Sequence, residues 1–156
     1  MKSQTYLLAA LSLLILHDAW AGPVAARNAW VRPTVPGQTV AAAYMEITAQ
    51  EAASLIAVRS PISPKVEIHF MKMDGDIMRM RELKKLDLPK NTVVSLAPGG
   101  YHLMLTRLKK PIHVGDVLPL TLVIRTQQKR ELLMINAIAQ ASTPDEEAGG
   151  HEHQHH

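Results

Sequence analysis

The sequence contains no cysteine, and that one absence closes several routes. An exported domain without disulfides must stand on its apolar core. Thiolate nucleophiles, zinc–cysteine sites and the cysteine-ligated blue-copper centre are excluded, so a soft metal has only methionine and histidine to bind. Aromatics are scarce: two Trp, three Tyr and one Phe leave little for stacking on bases. Charge is close to balanced, with 17 Lys and Arg against 14 Asp and Glu and a formal net charge of +3. The bases are scattered, which argues against nucleic acid as a partner and gives no support to a membrane-surface role. No G-x-S-x-G elbow, H-E-x-x-H helix or Gly-rich phosphate loop is present, so the chain is not expected to be an enzyme. Nor is there a hydrophobic run of the roughly 20 residues that a membrane-spanning helix requires.

The apolar stretch from Tyr6 to Leu16 has a different reading. Lys2 precedes it, and Ala19-Trp20-Ala21 follows as a small-x-small cleavage site. Residues 1–21 therefore read as a secretory signal, and the protein is expected in the periplasm. Residues 22–141 are one domain's length of chain, enough for a hydrophobic core. From Ser142 onward the composition turns to STPDEEAGG and then HEHQHH, a polar stretch expected to be disordered.

Between these ends run short β-branched or alternating segments: residues 40–48, 54–59, 65–73, 77–83, 91–96, 101–108 and 118–126. Turn residues such as Pro36-Gly37, Asp74-Gly75, Pro98-Gly99-Gly100 and Gly115-Asp116 separate them. Such spacing predicts an all-β domain, a sandwich or barrel, and the sandwich is the reading adopted. Residues 131–139 fit a closing strand or a short helix.

The chemistry concentrates in EIHFMKMDGDIMRMRE. It holds His69, Met71, Met73, Met78 and Met80, five of the chain's eight His and eight Met. A two-residue hairpin turn at Asp74-Gly75 sets His69 opposite Met80 and Met71 opposite Met78, with all four on one face. A loop shifted toward Asp76 changes the opposed pairs but keeps His69 with Met71 and Met78 with Met80. In GGYHLMLTRL, His102 and Met104 point the same way near a strand end, while Leu103 and Leu105 point into the core. Hairpin and strand end can converge on one metal. Cu(I) is the ion such donors suit: it is soft, and it takes thioether and imidazole. Thioethers need no deprotonation, whereas the imidazoles must be neutral, so affinity should weaken below roughly pH 6.5.

The spacing His69-x10-Met80-x21-His102-x-Met104, with its flanks EIHFMKMDGDIMRMR and LAPGGYHLMLTRLK, resembles the signature of the PCuAC family of periplasmic copper chaperones. The resemblance implies a cupredoxin-like Greek-key β-sandwich with one Cu(I) near the surface, held by His69, Met80, His102 and Met104. Met71 matches a variable accessory position, and Met78 is a further accessory candidate. The resemblance also implies delivery to the subunit II copper centre of cytochrome c oxidase, sometimes alongside Sco-type thiol proteins. Phe70 departs from the polar residue frequent beside the first histidine; it either serves partner docking or turns into the core.

Other features have plainer readings. Met45 and Met134 read as core filler, and His113 as a solvated loop residue. The tail histidines His151, His153, His155 and His156 are either a tag remnant or a native extension; Glu152 and Gln154 interrupt them, which favours the second and a Cu(II)-capturing role. A competing reading drops the metal altogether. In it the chain is an exported binding or adhesive module whose Met-rich face docks a partner.

Overall fold

Alternating apolar positions fold into ten strands, and no helix occurs among the described residues. The structure is a computed structural model that describes residues 22–141; the signal-like segment 1–21 and the tail 142–156 lie outside the described residues. The strands are β1 (Val24–Val31), β2 (Ala41–Ala49), β3 (Ala53–Ser60), β4 (Ser63–Asp74), β5 (Ile77–Leu83), β6 (Leu86–Leu88), β7 (Val93–Leu96), β8 (Tyr101–Thr106), β9 (Val117–Arg125) and β10 (Arg130–Ala139). The all-β expectation holds, and residues 131–139 belong to a strand. Their order is β5-β4-β8-β7-β2-β1-β10-β9-β3-β6, with β8 also paired to β2 and β4 also paired to β3. The last pairing closes the strands into a barrel-like ring. A closed ring satisfies backbone groups that an open sheet would leave at its edges.

The ring encloses the core. Met45, Ile47, Leu55, Leu103, Leu105, Leu120, Leu122 and Ile124 are almost completely buried in it. They come from β2, β3, β8 and β9, so β8, which carries His102 and Met104, also grips the core through Leu103 and Leu105. Met45 is core filler as expected, at 1% exposure, whereas Met134 is 80% exposed. The reading of Met134 as core is corrected: β10 alternates in burial although nearly all its residues are apolar, and Met134, paired with Thr121, is on its outward side.

One part of the ring extends beyond the core. β8 begins at Tyr101, opposite Phe70, so residues 71–74 of β4 pair with β5 alone. β5 is exposed from Ile77 to Glu82. The β4–β5 hairpin therefore overhangs the ring with solvent on both faces. Its turn is Gly75-Asp76, because Asp74 pairs with Ile77. Gly75 has φ of 63°, the left-handed value a type II′ turn needs at its first central position.

Candidate metal centre

This turn corrects the expected register. His69 faces Glu82, Met71 faces Met80, and Met73 faces Met78. The register moves by a whole period of two, so the facial assignment survives. His69, Met71, Met78 and Met80 remain on one side of the hairpin, joined by Met73. Met80 reaches back diagonally, and its sulfur lies 2.8 Å from Nδ1 of His69.

β8 brings the second pair of donors. His102 is directly opposite His69, and Met104 directly opposite Glu67. The two imidazole rings have centroids 5.6 Å apart and meet edge to face. Met104 is half-buried one step along the same face. The structure thus places His69, Met80 and His102 in one cluster with Met104 beside it. Met71 flanks the cluster, and Met78 stands a rung further out.

Both imidazoles are oriented by a partner two residues upstream. Nε2 of His69 lies 3.1 Å from the Glu67 carboxylate and donates its hydrogen there, which leaves the Nδ1 lone pair beside Met80. Nδ1 of His102 donates to the Gly100 carbonyl at 3.1 Å, which leaves Nε2 as its free donor atom. An N–H fixed on a carboxylate or carbonyl, with the other nitrogen free, is the arrangement that orients a metal-binding histidine. Gly100 is itself held: its carbonyl also accepts the Met71 amide at 3.0 Å, and its amide bonds the Ala97 carbonyl at 3.0 Å. Pro98 and Gly99 occupy the central positions of that turn, with Gly99 at φ of 81°, as a type II turn requires. Glu67 also pairs with Lys65. That ammonium above all, with His69 adding to it, holds the Glu67 carboxyl below its usual range against the opposing effect of burial, so it stays an acceptor at neutral pH.

Behind His102 the wall is aromatic. Tyr44 lies 6.5 Å from the His102 ring, and Trp30 4.4 Å from Tyr44, between centroids. Both are buried. Phe70 is on the opposite face of β4 and packs on Tyr101 at 4.6 Å. Two largely buried imidazoles with the half-exposed Met80 thioether beside them suit a soft ion of low coordination number. Among the described residues no group of three or more His, Cys, Asp or Glu is placed to hold a harder ion.

Comparison with known proteins places the chain in a family. A family model described as "Putative lipoprotein LpqE-like", a family within PCuAC, matches residues 24–134. The chain belongs to the PCuAC family. The PCuAC domain of PmoF1, in its apo form, superposes with a TM-score of 0.64 at 27% identity, over 78% of this chain and 96% of that one. The copper-bound PCuAC domain of PmoF2 gives 0.64 at 28% identity, over 78% and 95%. The solution structure of CuI-DR1885 from Deinococcus radiodurans gives 0.60 at 26% identity, over 80% and 83%. A curated relative, a "Putative lipoprotein" of Leifsonia xyli subsp. xyli, is 29% identical over 96 residues, 61% of this chain. The match spans 58% of that relative's length.

Within this PCuAC domain, the structure brings together His69, Met80 and His102 of the four residues the sequence singles out, with Met104 beside them, and adds what orients the histidines. Glu67 had a signal, since it shares the face of His69 two positions away. The Gly100 carbonyl had none, because only the β4–β8 pairing shows what it accepts. His113 is exposed in a loop, with its backbone amide bonded to Asp116. The tail histidines His151, His153, His155 and His156 lie outside the described residues.

His102 also gives the domain a pH dependence. Burial, foremost, and the neighbouring His69 push its imidazole below the ordinary value, while the bond to Gly100 pulls the other way. As pH falls through about 6.5 the unfolded chain takes up this proton before the folded one does. The stability tied to neutral His102 is therefore full above that pH and declines below it, until the folded-state value is passed. The urea midpoint of the metal-free protein should drop more between about pH 7.5 and pH 5.5 than that of His102→Gln. Equal drops would remove His102 as the cause.

Proposed function

We propose that this chain is a periplasmic copper carrier that holds Cu(I) at His69, Met80, His102 and Met104 and hands it to a receiving metalloprotein. The observation that carries the reading is the pair of oriented imidazoles meeting edge to face, with Nδ1 of His69 against the Met80 sulfur and Nε2 of His102 turned away from its Gly100 partner. Copper in the PmoF2 and DR1885 structures supports the choice of ion, and thioether ligands select Cu(I) over harder metals. The cupredoxin-like sandwich, the signal in residues 1–21 and the lipoprotein names among the relatives fit an exported carrier. The domain works as a carrier rather than an enzyme: copper is its cargo, Met80 gives the site an exposed edge, and thioether sulfurs release the ion without taking up a proton. The receiving protein is cytochrome c oxidase, at its subunit II copper centre, with Sco-type proteins as co-workers, and the tail histidines collect Cu(II).

Anaerobic Cu(I) titration against a competing chelator, followed by X-ray absorption, tests this reading. One tightly held ion with nitrogen and sulfur neighbours is expected, and mixing with the metal-free subunit II domain should move it across. Absence of tight Cu(I) binding would leave the metal-free docking module. Glu67→Ala separates orientation from ligation, because it frees the His69 ring without removing a donor. Its Cu(I) affinity should fall by roughly 10- to 100-fold, the usual cost of losing an orienting partner, as read by the same competition assay.

A further inference from the structure

The overhanging hairpin sorts its side chains in a way that burial does not require. Both of its faces are open to solvent, yet one carries Met71, Met73, Met78 and Met80, with Glu82 at its inner end, and the other carries Lys72, Asp74, Arg79 and Arg81, with Ile77 at the turn. Asp74 and Arg79 form an ion pair at 2.9 Å on that second face, which is ordinary chemistry for exposed strands. Four thioethers on the first face are not. Met73 is 53% exposed and Met78 54%, so neither fills the core, the usual place of methionine.

Their register makes two rungs. Met71 is directly opposite Met80, and Met73 directly opposite Met78. Opposed Cβ atoms in an antiparallel pair are about 5 Å apart, close enough for two flexible thioethers to share one ion. Successive rungs on one face are about 7 Å apart along the strand. The inner rung includes Met80, whose sulfur touches His69, and the outer rung stands next to the turn at Gly75-Asp76.

We infer that Met73 and Met78 form a second, weaker site for a soft monovalent ion, outboard of the His69–Met80–His102–Met104 centre and joined to it by Met71. This deepens the copper-carrier reading and rests on it for the identity of the ion. With thioethers alone and no imidazole, the outer site has the weaker donor set and loads after the inner one. Its position at the hairpin tip makes it the first part of the centre that a docking partner meets, and the ladder gives the ion a soft ligand at each step outward.

The test is NMR of the protein carrying 13C-labelled methionine methyl groups, titrated anaerobically with Cu(I). The methyl signals of Met73 and Met78 should move in a later phase than that of Met80. Met73→Leu/Met78→Leu, which keeps side-chain volume at exposed positions, should lose the later phase and keep the earlier one. Signals of Met73 and Met78 that stay put in excess Cu(I), or that move in step with Met80, would overturn the inference. The methyl group of Met104, three rungs from Met73 and Met78 and on another strand, reports the main centre separately. Its failure to respond refutes the four-ligand reading whatever Met73 and Met78 do.

Discussion

Replacing Met80 and Met104 together by leucine should weaken Cu(I) binding by more than a hundredfold, as read by chelator competition. The bound comes from comparison. Losing an outer-shell partner that merely orients a ligand already costs about 10–100-fold, and this variant removes two sulfur donors outright. Leucine conserves volume and hydrophobicity, a swap that costs under about 1.5 kcal/mol in a core. Here it should cost less, because Met80 is half-exposed and Met104 lies at the rim. An intact fold with a lost site is therefore the expected result. Selectivity should change as well. The two remaining imidazoles form a borderline donor set that suits Cu(II) or Zn(II) better than Cu(I), so any residual binding should favour the divalent ions. Unchanged Cu(I) affinity would show that the sulfurs only pack.

The face of each candidate ligand is legible in the sequence because strand parity is insensitive to an even shift of register. The turn was read at Asp74-Gly75, and the chain turns at Gly75-Asp76 instead. Asp-Gly is favoured in the turn that needs two left-handed residues. Here only Gly75 has positive φ, and Asp76 does not, so glycine occupies the first central position of the mirror type II turn. The opposed pairs moved, and Met73 and Met78 became a rung of their own. His102 and Met104 were simpler, since two residues apart on one strand share a face in any register.

Strands were missed where periodicity fails. β1 bulges between Arg27 and Trp30, with Asn28 in left-handed conformation at φ of 51°, so VAARNAWV shows no steady alternation. β6 is only Leu86–Leu88, too short for any pattern. Met134 was misplaced for the opposite reason. Residues 131–139 are apolar at nearly every position, and such a run does not say which side faces inward. Closure of the ring was not legible either, because the β3–β4 pairing joins strands through a bulge between Val58 and Ser60 that leaves no mark in the residues. The orienting groups depend on that same tertiary pairing. Gly100 reaches His102 and Met71 only because the Pro98-Gly99 turn sets its carbonyl against β4.

Leu103→Ala should produce the largest loss of stability, and it tests how the core and the metal centre are connected. Leu103 sits between His102 and Met104 but points to the other side of β8, where it is fully buried and paired with Ile68 of β4 and Ala43 of β2. Truncating a leucine there should cost about 2–5 kcal/mol from lost transfer energy and the cavity left behind. Against a total stability of about 5–15 kcal/mol, the thermal midpoint of the metal-free protein should fall by roughly 10 °C or more. The ligand face should nevertheless survive. β8 is hydrogen-bonded to β4 along Lys65 to Phe70 and to β2 along Ala41 to Ala43, and a side chain cannot change faces without slipping that register. Copper should thus raise the midpoint of the variant about as much as that of the wild type, since the gain depends only on ion concentration relative to Kd. A loss below about 1 kcal/mol would contradict the core position of Leu103, given the usual cavity cost. A large loss together with a vanished copper shift would mean instead that core packing, rather than ladder pairing, holds His102 and Met104 on the metal face.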